Sequence, residues 1–189
     1  KTFKTQTITR PTLEDFRPSF DPEGKYIYFL SKRTYVPYYD DLQFEMGFPR
    51  GTKPYLILLD ETLPSPFIPQ VKESADKPKK EGKEKPKDIK IDLKGIEDRI
   101  LEFPVEEGNY SRIDGIPGKA LYIAYSRQSA FGANGDDSSS KGSLECYDFG
   151  TQKEETLVSK VSTFTLSADS QRPCYYGGKK MRAIKAGDK

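Results

Sequence analysis

The sequence predicts an all-β chain: a partial β-propeller of about three four-stranded antiparallel blades, with one disordered Lys/Glu-rich insertion. Three observations carry this reading. A strand–turn–strand hairpin recurs three times, at Pro18–Ser31, at Ile113–Ile123 and at Phe164–Tyr176. Each copy leads into a strand that is apolar on both faces, and such a strand must be covered on both sides. No stretch has helical periodicity. The step from Gly118 to Ser170 fits the period of roughly 40–50 residues that marks propellers and arrays. The longer step from Gly24 to Gly118 is explained by a long loop and a charged insertion.

The elements follow in order. Lys1–Arg10 alternates weakly, through Phe3 and Ile8, and reads as an outer strand that Pro11 ends. Asp21-Pro22-Glu23-Gly24 fits a type I turn, with Asp first, Pro pre-set at the second position and Gly fourth. Tyr26–Leu30 is the buried strand that follows. Thr34–Lys53 is too long for a hairpin loop, and its aromatic residues suggest that it is packed down. Long ordered loops often carry function. Asp40, Asp41 and Glu45 lie there, but their spacing matches no calcium loop, so no metal site is expected.

Tyr55–Leu59 is the next buried strand, preceded by Pro54 and followed by the acidic gatekeepers Asp60 and Glu61. Pro64, Pro66 and Pro69 then exclude regular structure. Residues 71–90 are Lys, Glu, Asp, Pro and Gly with almost nothing apolar, and cannot offset their ordering entropy. Ile89–Leu93 and Gly95–Val105 alternate and read as two strands. Ser126–Gly142 reads as a flexible loop. Ser143–Phe149 and Glu154–Val158 form a strand pair around Gly150–Lys153. Lys180–Lys185 is the last strand. Pro173 implies an edge position or a local irregularity. The strand before each hairpin is read as the outer strand of the preceding blade. The chain divides into residues 1–70 (a first blade region with the aromatic loop 34–53), residues 71–90 (the insertion) and residues 91–189 (the remaining blades).

Composition removes several function classes. The chain has 189 residues, a net charge of +2 and no histidine. A Ser-His-Asp or Cys-His centre cannot be built from it alone, and histidine metal sites are excluded. The small net charge gives no field favouring nucleic acid, and no apolar run approaches the roughly 20 residues of a membrane helix. Cys146 and Cys174 are too few for a disulfide scaffold and read as two buried free thiols, with a single disulfide as the alternative. No cofactor is expected. The chain opens on Lys1 rather than Met and runs directly into strand-like sequence, so it reads as a segment of a longer protein.

Two stretches are more specific than the turns. Phe20–Ser31 followed by Phe48-Pro49-Arg50-Gly51-Thr52-Lys53-Pro54-Tyr55-Leu56 resembles the second β-propeller of tricorn-type proteases. Ile91-Asp92-Leu93 with Gly95-Ile96-Glu97-Asp98-Arg99-Ile100 and Pro104-Val105 is similar to the next signature of that region. Phe164–Asp169 resembles its closing blade. The resemblance implies a seven-bladed propeller that precedes a catalytic part holding the nucleophilic serine, its histidine and a PDZ-like domain. It implies a scaffold and a substrate-access channel for peptides, filtering them by size, and no catalytic residue in this chain. The implied partners are the remaining blades, the catalytic and PDZ-like domains of the parent chain, peptide substrates and further copies in a homo-oligomer, in the cytoplasm or alternatively the periplasm. Tyr38, Tyr39, Asp40 and Arg50 of the long loop are the channel candidates; the alternative for that loop is bracing under the rim. A TolB-like binding propeller and the cap of a prolyl-oligopeptidase-like hydrolase are competing readings, since fold alone does not fix function. Ser170, where a turn glycine is usual, and Pro173 depart from the pattern.

Overall fold

A computed structural model of the chain describes residues 5–10, 12–33, 37–39, 46–47, 51–68, 89–125 and 142–184. The strands are Glu14–Phe20 (β1), Tyr26–Lys32 (β2), Tyr38–Tyr39 (β3), Met46–Gly47 (β4), Lys53–Leu58 (β5), Ile100–Glu102 (β6) and Asn109–Ile116 (β7). Lys119–Tyr125 (β8), Gly142–Asp148 (β9), Lys153–Val161 (β10), Thr163–Leu166 (β11), Pro173–Gly177 (β12) and Lys180–Ala183 (β13) follow. Three antiparallel sheets are built in chain order: β1-β2-β5-β6, then β7-β8-β9-β10, then β11-β12-β13. A small ribbon pairs β3 with β4. This is the expected partial propeller, with three strands rather than four in its third sheet among the described residues. The strands preceding the second and third hairpins, β6 and β10, do form outer edges. The outer strand of the first blade is thus drawn from the 91–189 stretch.

The sheets stack face to face because each presents an apolar side to its neighbour. Tyr28, Leu30, Leu56 and Phe103 from the first sheet meet Tyr110, Ile113, Tyr122 and Tyr147 from the second. Phe67 enters the same layer, with its ring centroid 5.0 Å from that of Phe103 and 5.7 Å from that of Tyr147. The described part of the proline-rich stretch, residues 63–68, has no regular structure, as expected, yet it delivers this aromatic wedge. Leu121, Ile123, Leu144 and Cys146 meet Phe164 and Tyr175 between the second and third sheets. Complete burial of one such side chain is worth about 1.5–3 kcal/mol. β7 lies against β1 and β2, so the inner edges of the first two sheets adjoin.

Contact between the first two blades needs a glycine. A Cβ on Gly115 would sit 2.4 Å from Tyr28 Cε2 and 3.1 Å from Pro22 Cδ. The turn beneath is fixed by Asp21, whose carboxylate accepts from Lys25 N at 3.0 Å and from the Tyr28 hydroxyl at 3.2 Å. Burial raises the Asp21 pKa against these two bonds, and burial followed by the Asp21 charge raises that of Tyr28, which remains a donor.

The first and third turns share one geometry. Gly24 N donates to Asp21 O and Ser170 N to Ser167 O, each at 2.9 Å. Gly24 has φ +70°, and Ser170 holds the same left-handed conformation at φ +54° without being glycine. The middle copy instead turns on the two residues Pro117 and Gly118.

Several expected elements change. Residues 5–10 form no strand; Ile8 alone packs onto the far face of the first sheet, and its polar neighbours find no ladder. Ile89–Leu93 is extended but unpaired as a strand, because its alternating Ile89, Ile91 and Leu93 stay exposed. Gly95–Val105 keeps only β6 as strand, since Ile96–Asp98 winds into a 3-10 turn. Pro54 lies inside β5 rather than before it. Pro173 occupies neither an edge nor an irregularity: it is the first residue of central strand β12, where a missing N–H is tolerated, and its register with Leu166 is regular. Cys146 is buried, but Cys174 is only half-buried; both are free, so the disulfide alternative falls. The insertion at 71–90 lies outside the described residues up to 88, and so do 126–141 of the Ser/Gly loop.

Two outcomes are expected. Gly115→Ala forces the Tyr28 ring aside and lowers stability by about 1–3 kcal/mol in denaturant unfolding. Ser170→Gly relieves the left-handed strain and raises stability by about 0.5–1 kcal/mol, measured the same way; a loss of stability would contradict the turn geometry.

Candidate functional site

The inner strands are the natural place to look, because they face the axis about which the blades fan. β1 and β7 each carry a register break, β1 between Phe16 and Ser19 and β7 between Tyr110 and Arg112. Such bulges re-aim side chains. Arg17, at the first break, is exposed and has φ +56°. Arg112 follows the second. Its Nε donates to Asp114 Oδ2 at 2.7 Å, and its guanidinium lies 5.2 Å from the ring centroid of Phe164 on β11. Ser19 Oγ on β1 donates to the other Asp114 oxygen at 2.8 Å. A polar belt therefore links β1, β7 and β11.

A second cluster sits where β2 ends and the long aromatic loop begins. Arg33 Nη2 donates to both Asp15 oxygens, at 3.1 and 3.0 Å, and its Nε donates to Ser31 Oγ at 2.9 Å. The guanidinium stacks over Phe29 and Tyr55, 5.4 and 5.2 Å from their ring centroids. At the loop's other end, buried Lys53 pairs with Glu102, which also accepts from the Tyr55 hydroxyl at 3.2 Å. Both ends of the loop are thus pinned to the first sheet. Of the loop's channel candidates, Tyr38 and Tyr39 form β3, with Tyr38 opposite Gly47 and Tyr39 opposite Met46. Asp40 and Arg50 lie outside the described residues.

Among the described residues, the buried cysteine offers no thiolate nucleophile. Burial pushes the Cys146 thiol up to about 11, so it stays protonated. Burial likewise raises the Glu145 pKa. The Tyr122 hydroxyl donates to Glu154 at 2.7 Å, and burial raises its pKa as well.

The motif richest in specific residues proves to be structural. Gly95 takes φ +65° and opens the 3-10 turn, and Ile96 is buried on the far face of the first sheet. Arg99 then donates to four backbone carbonyls: Leu58 and Lys94 at 3.0 Å each, Leu59 at 3.5 Å, and Asp92. It sews the returning chain onto the end of β5. The Ser19–Asp114–Arg112 belt was missed by sequence reading. Its members are separated by up to 95 positions, and only the pairing of β1 with the following blade brings them together.

This fold and this arrangement define a segment of a β-propeller: three blades, an adjoining set of inner strands and a polar belt across them. Residues 1–187 match the model of the tricorn protease second beta propeller domain, and the chain belongs to that family. It is 36% identical over 170 residues to the tricorn protease homolog of Saccharolobus solfataricus, covering 89% of this chain and 15% of that protein. It is 33% identical over 178 residues to tricorn protease homolog 1 of Streptomyces coelicolor, covering 90% of this chain and 17% of that protein. The chain therefore spans about a sixth of the length of these relatives. In fold it is similar to a crystal structure of the tricorn protease, with a TM-score of 0.72 at 24% identity over 94% of this chain and 16% of that one.

Replacing Arg99 by Lys leaves one ammonium to serve carbonyls that a fork served before. The expected loss is about 1.5–3 kcal/mol of stability in chemical unfolding. An unchanged midpoint would show that water serves those carbonyls equally well.

Proposed function

We propose that this chain is a wall segment of the substrate-access channel in a tricorn-like serine peptidase. It provides scaffold and path, and the chemistry belongs to other parts of the parent chain. The observation that supports this most is the closeness of inner strands β1 and β7, joined by Ser19 and Asp114, with Arg112 of β7 resting on Phe164 of β11. A wall built in this way is stiff, because each blade packs an apolar face against the next. A stiff aperture excludes folded proteins and passes extended peptides. Membership of the tricorn propeller family supports the same reading, as does the absence of histidine from the sequence.

The outer sides of the segment fit a larger ring. Met181 and Tyr176 on the third sheet are 75% and 41% exposed. We take these as surface for the next blade. The connection from β2 to β5 begins and ends on one face, at the end of the first sheet where Ser31 pairs with Lys53. We assign that face, with Tyr38, Tyr39, Asp40 and Arg50, to one mouth of the channel.

The test places a plug on the inner wall of the full-length protein. Arg17→Cys, labelled with a bulky maleimide, is expected to slow hydrolysis of peptides, and to slow longer peptides more than short ones. If the labelled protein turns over long peptides as fast as the unlabelled variant, the wall reading is wrong.

A further inference from the structure

Arg112 is held differently from Arg33 and Arg99. Arg33 and Arg99 spend their guanidinium donors on the protein: Arg33 on Asp15 and Ser31, Arg99 on four carbonyls. Arg112 is anchored only from behind. Nε is committed to Asp114, and one face of the guanidinium rests against Phe164. Asp114 cannot swing away, because Ser19 occupies its second oxygen. Among the described residues, neither Nη1 nor Nη2 of Arg112 donates to a protein acceptor. The side chain is 38% exposed, against 17% for Asp114. Three inner strands thus fix the plane of one guanidinium and leave its terminal edge open.

An edge of this kind has a matching ligand. Two parallel N–H groups in a fixed plane fit the two oxygens of a carboxylate, and prior fixing of the donor lowers the entropy lost on binding. The bulge just before Arg112 turns the strand locally, as bulges do beside functional sites. We infer that Arg112 is a docking point for peptide carboxylates on the inner wall, taking either a C-terminal carboxylate or an Asp or Glu side chain. The inference rests on the channel reading above, and it adds a chemical preference to what would otherwise be a size filter. Binding at a partly exposed site is modest. A carboxylate held in this way is retained briefly and released, which suits a path better than a trap.

The experiment uses the full-length protein with three matched peptides: one with a free C-terminus and no acidic side chain, one amidated with an internal Glu, and one amidated with neither. Arg112→Gln keeps an N–H for Asp114 but loses the fork; Arg112→Lys keeps the charge but loses the plane. Both are expected to raise KM by about 5–10-fold for the peptides carrying a carboxylate, with kcat unchanged and the third peptide unaffected. Whichever of the first two responds identifies the carboxylate source. Equal changes for all three peptides, or rescue to the unsubstituted value by Lys, would assign Arg112 a structural role and overturn the inference. So would no change at all. Equilibrium binding of the same peptides, dye-labelled, to the Arg112→Gln variant separates this inference from the channel reading. Loss of carboxylate-dependent binding in a protein whose plugged Arg17 variant still works normally would keep the site and remove the channel.

Discussion

The approach of the second blade to the first depends on one missing side chain. Gly115 lets the edge of β7 settle onto the ring of Tyr28, and Tyr28 is completely buried as a result. From that contact follow the aromatic layer of Phe67, Phe103 and Tyr147, the closeness of β1 to β7, and the reach of Ser19 to Asp114. A sheet with two apolar faces is unstable alone. Here each sheet buries one face against its neighbour, and the inner wall is a by-product of that stacking.

Much of the fold was legible because burial on both faces leaves a continuous apolar run. Tyr26–Leu30, Tyr55–Leu59 and Ala120–Tyr125 announce themselves as central strands and are central. The errors fell where alternation arises without a ladder. Ile89, Ile91 and Leu93 alternate with polar residues, but the backbone there is bonded at isolated points: Asp92 N donates to Leu59 O, and Arg99 takes the Asp92 carbonyl. A pattern of side chains cannot reveal that an arginine seven positions later replaces a neighbouring strand. Pro173 misled for a related reason. At the first position of a strand its missing N–H faces beyond the ladder, so even a central strand accommodates it.

The site was legible only as a region. An arginine in a strand and an aspartate two positions on are unremarkable in sequence, because one face of any strand carries such a pair. What distinguishes Arg112 is the ring of Phe164 from the next blade and the hydroxyl of Ser19 from the previous one. Both depend on register in three separate sheets. The long aromatic loop was singled out by length and composition, which are local properties, and for that reason it was easier to notice than to interpret. Its anchors at the two ends are ion pairs, half-buried Arg33 with Asp15 and buried Lys53 with an exposed Glu102, and they look like ordinary surface charges until the sheet is assembled.

The clasp made by Arg99 bears on how this segment can vary between relatives. The chain leaves the end of β5 at Asp60 and is recaptured beside it, where Lys90 pairs with both Asp60 and Asp92, at 3.1 and 2.9 Å. Glu61 N also donates to Asp92, at 3.1 Å. Departure and return therefore share one doorway, bolted on the side of the blade away from the long loops. The entropy of closing what lies between grows only with the logarithm of its length. Beyond the Phe67 wedge, evolution is free to lengthen, shorten or replace that excursion, even with an independently folded module, while the blades on either side keep their register.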